Sequence, residues 1–144
     1  MPWQSLSATL SAKPHVLAGP VLRKVTSREV TVWFALRRAC TITLKVFQGN
    51  NAILTGTTAT VAVGVNLHIV AVTADKLQPP HSGLIEGIVY EYDAIFDFGG
   101  LQITLSGATH NASLAYPPFT RPSFCLPPAN VNQLRLIHGS CRIP

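Results

Sequence analysis

The residues with the sharpest chemical character lie at the C-terminal end, in the run L-R-L-I-H-G-S-C-R-I-P at positions 134–144. A strand-like segment running into G-S-C is a strand-to-loop transition, and open sheets place reactive groups at the carboxyl ends of strands. Ser140 is not a nucleophile elbow, because the run lacks G-x-S-x-G. His138 precedes Cys141 by three residues, so on a continuous strand the two side chains leave opposite faces and make a poor catalytic pair. The Cys141 thiolate is a good ligand for iron or zinc, but one cysteine is not a metal site, and local chemistry alone favours a buried structural cysteine. The other chemically suggestive group is acidic. Glu91, Asp93 and Asp97 alternate along one segment with Tyr90, Tyr92, Ala94 and Phe96. At period two the carboxylates share one strand face, where they could hold a metal or act as acid and base. The competing reading is cross-strand pairing with Lys45 or an arginine on a neighbouring strand.

The elements that position these groups are strands. In E-V-T-V-W-F-A-L (29–36), Val30, Val32, Phe34 and Leu36 share one face, with Thr31, Trp33 and Ala35 on the other. Residues 40–47 repeat the pattern with Ile42, Leu44 and Val46. Residues 57–63 and 67–73 are rich in Val, Thr and Ile, and the Gly64-Val65-Asn66 link between them predicts a hairpin. A first strand is expected over 21–25, and further strands over 90–98 and 101–106, paired across Gly99-Gly100. Residues 26–28 read as a turn; 49–56 and 78–83 read as loops. Strands at this spacing with no clear helix predict an all-β, antiparallel β-sandwich. Over residues 116–128 the composition shifts to five prolines in thirteen residues, which resists both sheet and helix and reads as an extended linker.

The run L-I-E-G-I-V-Y (84–90) is similar to the L-x-P-G-x-x-Y segment of fibronectin-type sandwiches, with Glu86 where proline is usual. That resemblance makes the fold fibronectin type III or immunoglobulin-like and Tyr90 its tyrosine corner, with the hydroxyl bonded to backbone a few residues upstream. Tyr90, Tyr92, Val30, Val32 and Phe34 are then structural core residues.

Charged residues make up only 12% of the 144-residue chain, and apolar residues 47%, which excludes a disordered chain. A helical bundle is poorly supported, since those run rich in Ala, Glu, Lys, Leu and Arg. Net charge is +5, but Arg23-Lys24 and Arg37-Arg38 are the only adjacent basic pairs, so no nucleic-acid-binding patch is expected. The longest apolar run, 61–72, is interrupted by Gly64, Asn66 and His68 and is too short to span a membrane. Three cysteines, Cys40, Cys125 and Cys141, form no disulfide framework. The first twenty residues lack a basic region followed by an apolar stretch, so a cytoplasmic location is expected. Asn111-Ala-Ser113 fits a glycosylation sequon and reads as a polar turn.

The stretch A-G-P-V-L-R-K-V-T-S-R-E-V-T-V-W-F-A-L (18–36), the 84–90 corner, the proline-rich segment and L-R-L-I-H-G-S-C-R occur in an order that resembles the PhoD-like metallophosphatases, the alkaline phosphatase D family. The resemblance implies an N-terminal sandwich ahead of a calcineurin-like phosphoesterase domain whose first strand ends in a G-S-C-like turn. It implies iron and calcium as the metals of the complete family enzyme, with Cys141 as a ligand of the ferric iron. The expected organisation is an N-terminal arm (1–13), a sandwich (14–115), a Pro-rich linker (116–133) and the truncated start of a phosphoesterase domain (134–144). No D-x-H, G-D or G-N-H run supplies the remaining ligands, so this chain is expected to be non-catalytic and to carry no cofactor of its own. Its expected partner is the catalytic domain, or a second copy through an apolar flank. The alternatives are one half of a split metallophosphoesterase, or a free-standing binding module using loops such as 49–56.

Overall fold

The structure is a computed structural model that describes residues 9–135. Among the described residues ten strands follow one another: β1 (Val16–Val25), β2 (Val30–Leu36), β3 (Thr41–Gln48), β4 (Asn51–Ala59), β5 (Val61–Gly64), β6 (Leu67–Ala74), β7 (Lys76–Leu77), β8 (Val89–Asp97), β9 (Gln102–Thr104) and β10 (Ser123–Cys125). One sheet has the order β1-β2-β6-β5; the other runs β10-β8-β3-β4-β7, with β9 also pairing β8. Every pairing is antiparallel. The two sheets pack face to face as an all-β sandwich.

Alternation builds the core. Val30, Val32, Phe34 and Leu36 of β2 face Ile42, Leu44 and Val46 of β3 and Tyr90, Tyr92, Ala94 and Phe96 of β8 across the interior, all buried. Phe34 and Phe96 meet edge to face at 5.4 Å between ring centroids, joining the two sheets at the centre.

Four segments depart from the sequence expectation. The first strand begins at Val16 rather than 21, and irregular pairing lets it pass Gly19 and Pro20. Gly19 has φ +102°, and a Cβ there would stand 2.7 Å from the Trp33 carbonyl oxygen. Residues 49–56 are not a loop: only a tight turn at 49–50 separates β3 from β4, so this segment offers no binding loop. The Val/Thr-rich run 57–63 is not one strand. It leaves one sheet at Ala59 and enters the other at Val61, and Thr60 pins the crossing. The Thr60 amide donates to the Cys40 carbonyl at 3.0 Å, and the Cys40 amide donates to Thr60 Oγ1 at 3.1 Å. Finally, β9 covers only 102–104 before a single helical turn, Leu105–Ala108, capped by Thr104 Oγ1 accepting from the Gly107 amide.

The Pro-rich segment is more than an extended connection. Residues 123–125 form β10 at the edge of the sheet beside β8, and Phe124 is buried against the core. Prolines 122 and 127 bracket the strand rather than interrupt it, which an edge position tolerates.

Candidate functional site

The corner that precedes β8 sets the geometry of the candidate site. Leu84 is buried, and its amide donates to the Ser27 carbonyl at 2.7 Å, tying the corner to the β1–β2 turn. Gly87 takes the left-handed conformation at φ +75°. Tyr90, almost fully buried, then places its hydroxyl 2.8 Å from the Ile85 amide and accepts its hydrogen bond. This is the expected tyrosine corner. Glu86, the departure from the usual proline, has its own role: Oε1 accepts from the Ala129 amide at 3.0 Å, holding the C-terminal segment to the corner.

The alternation expected for β8 holds, with Glu91, Asp93 and Asp97 on the face opposite the core. Their carboxylates do not converge on a common point; each is engaged locally. Glu91 Oε2 accepts from the Arg121 amide at 3.1 Å, and the Arg121 guanidinium lies 4.0 Å from Oε1 and 4.2 Å over the Phe47 ring. Asp93 Oδ1 accepts from its own neighbour Ala94 at 2.8 Å and from Leu105 at 3.3 Å, anchoring the start of the helical turn. Lys45 is directly opposite Asp93 in the β3–β8 ladder. Asp97 Oδ1 accepts from the Gly99 and Gly100 amides, and Oδ2 from Gln102 Nε2. The Gly100 bond, then the Gln102 and Gly99 bonds, hold its carboxyl below the ordinary carboxylate range.

Arg121 was not singled out by sequence reasoning, because its partner lies thirty positions upstream and no local pattern marks it. It begins the chain's approach to β10, where Tyr92 donates to the Pro122 carbonyl at 3.0 Å and Phe124 packs 5.9 Å from Tyr90 and 6.2 Å from Tyr92. Burial pushes the Tyr92 phenol up to about 12. Between β8, the helical turn and the Pro-rich segment lies an open groove of about 550 Å³, lined among others by Asp93, Leu105, Asn111, Leu114, Phe119 and Arg121.

A second polar cluster, also unforeseen, sits at the opposite end of β8. His15 stacks on Phe98 at 4.6 Å, and Arg38 lies 5.0 Å over the same ring. Arg37 donates to the Leu10 and Ser11 carbonyls at 3.0 and 2.7 Å, fastening the N-terminal turn to β2. Burial, then Arg37, Arg38 and His110, lower the His15 pKa.

Among the described residues no three His, Cys, Asp or Glu side chains are placed to hold a metal ion. Cys141 and the rest of the G-S-C turn lie outside the described residues. The β8 carboxylates are engaged by amides and a guanidinium and do not converge as the metal or acid–base site that their shared face suggests. Cys40 is buried, which pushes its thiol up to about 11, while Cys125 is exposed on β10. The arrangement therefore performs anchoring chemistry: it fixes the chain that leads from the sandwich toward position 134.

No curated protein and no solved structure matches the chain. Residues 13–96, which run from just ahead of β1 to Phe96 in β8, match the family described as Domain of unknown function (DUF7800). That is more than half of the 144 residues, and the chain belongs to this family.

Proposed function

We propose that the chain is the non-catalytic sandwich portion of a PhoD-like phosphatase or phosphodiesterase, which holds and orients the start of the phosphoesterase domain. One observation carries this reading. The segment between the sandwich and the L-R-L-I-H-G-S-C run is bound to the sandwich at four successive points: Arg121 on Glu91, Pro122 on Tyr92, Phe124 in the core and Ala129 on Glu86. A flexible tether would not need such anchoring; a segment that positions the next domain would. The order of motifs from 18 to 142 supplies the link to the phosphatase family. In the complete enzyme Cys141 would ligate iron, and the residues of this chain would supply the frame rather than the metal-activated water.

The test is enzymatic and uses the full product of the gene beside the 144-residue chain. The expected result is hydrolysis of a nitrophenyl phosphodiester by the full product, its loss in Cys141→Ser, and none by the short chain. Metal-dependent hydrolysis by the short chain alone, or a full product without phosphoesterase activity, would overturn the reading.

A further inference from the structure

A sandwich has sheet edges, and soluble proteins guard them with proline, charge, bulges or brevity. Among the described residues, four edge strands are guarded in that way. β1 carries Pro20, Arg23 and Lys24 and pairs with three irregularities. β7 has two residues and is followed by Pro79 and Pro80. β10 has three residues between Pro122 and Pro127, and β9, on the same side of β8, has three. The edge strand β5 instead reads Val-Ala-Val-Gly, and all four residues are exposed. It bears no charge and no proline, and its one register shift lies between Ala62 and Gly64, next to the turn. Val61 is 65% exposed, Val63 60%, and Val65 at the hairpin turn 92%.

The surroundings extend the apolar character. From Val46 to Ala74 the sequence holds no Asp, Glu, Lys or Arg, so β4, β5 and β6 are all uncharged. Next to the edge, Val61 sits opposite the half-buried Ile69, which pairs in turn with the buried Ala35. Beside them Ala71, Trp33 and Val21 form an apolar row.

We infer that β5 is an interaction edge whose occupant is β5 of a second copy, paired antiparallel about a two-fold axis to join two four-stranded sheets into one of eight. The charge pattern favours this occupant. Two copies that each carry +5 repel wherever their charged residues meet, and at the two-fold axis a residue faces its own counterpart, so an uncharged edge is where two copies can approach. The net charge of +5 is carried elsewhere on the molecule, outside residues 46–74. The unpaired amides and carbonyls of β5 supply the hydrogen bonds, and the two valine rows close over the seam. This inference does not depend on the proposed phosphatase role.

Sedimentation velocity on the full chain, from dilute solution to the solubility limit, tests it. The expected result is a reversible rise to doubled mass, lost in Val61→Lys and in Val63→Lys, which place the usual edge-guarding charge on exposed sites. Amide exchange of wild-type residues 61–64 is expected to slow as the dimer forms, and this decides the matter even if a lysine variant misfolds. A wild-type monomer at every concentration would overturn the inference. So would a dimer that survives both substitutions, or one that leaves exchange at 61–64 unchanged.

Discussion

Replacing Gly56 by alanine is expected to destabilise the sandwich by about 3 kcal/mol, the upper end of the usual range for overpacking a core. Gly56 lies in the middle of β4, paired with Leu44 of β3, with its back to β6 of the other sheet. A Cβ at this position would stand 1.8 Å from the Thr73 carbonyl oxygen, 2.7 Å from the Thr73 carbonyl carbon and 2.9 Å from Ala74 Cα. To reach the 3.0 Å that real Cβ atoms respect, the nearest contact must open from 1.8 Å, a movement of 1.2 Å. Every atom it meets is backbone, so no side chain can swing aside. Neither strand is free to retreat: β6 is laddered to β2, with Thr31 and Thr73 hydroxyls 2.8 Å apart, and β4 to β3. At about 2–4 °C per kcal/mol for a domain near this size, Tm should fall by about 6–12 °C. Gly64→Ala is the control, because nothing lies within 4 Å of its added Cβ and its φ is not positive. That substitution removes unfolded-chain entropy without a clash and should be neutral or raise stability by up to about 1 kcal/mol. Denaturant titration and calorimetry on dilute protein measure both. A Gly56→Ala protein as stable as wild type would refute the close approach of β4 to β6 and the packing derived from it.

Three further outcomes are expected. Tyr90→Phe strips the acceptor from the Ile85 amide and should cost about 1 kcal/mol, with faster exchange of that amide and little change in the circular dichroism spectrum. At mildly alkaline pH a thiol reagent should modify exposed Cys125 but leave Cys40 untouched until the protein is unfolded, because burial holds that thiol near 11; peptide mapping separates the two sites. The folded protein holds the His15 pKa below its ordinary 6.5, so the unfolded chain binds the extra proton first as pH falls. Stability should therefore decline as pH drops from 6.5 toward the folded value, and His15→Phe, which keeps a ring on Phe98, should flatten that decline in denaturant titrations at a series of pH values.

The elements read correctly from sequence are those whose determinants are local. In β2, β3 and β8 one apolar residue in two points inward along the whole strand, and alternation needs no knowledge of partners. The corner was legible because a leucine, a left-handed glycine and a tyrosine at fixed spacing are all close in sequence. Gly56 shows the opposite case. A glycine in a Thr-rich stretch looks like a loop boundary, whereas here it is required by the backbone of a strand from the other sheet, which no local pattern announces. The crossing at Thr60 was hidden for a related reason: Val/Thr alternation continues unbroken across it, and the bonds that fix it reach back to Cys40. Residues 116–128 misled through composition, since proline density says little about the three residues it brackets.

The acidic face of β8 carries the same lesson into chemistry. Period two places Glu91, Asp93 and Asp97 on one face, but what a carboxylate does depends on the donors that reach it. Asp97 receives two amides and a side-chain amide, and bonds of this kind stabilise the anion and weaken it as a base. Glu91 receives both the amide and the guanidinium of Arg121, so its charge is spent in fixing where the Pro-rich segment begins. Glu86 fixes the same segment eight residues further on, at Ala129. Two acidic residues on the corner and its strand thus bracket β10, while Phe124 fills the space beside the corner tyrosine. Removing both anchors in a Glu86→Ala, Glu91→Ala variant would leave β10 with its short ladder, the Tyr92–Pro122 bond and one buried ring. Of the acidic pattern that suggests catalysis in the sequence, Glu91 holds the segment leading to position 134, while Asp93 anchors the helical turn and Asp97 the turn after β8.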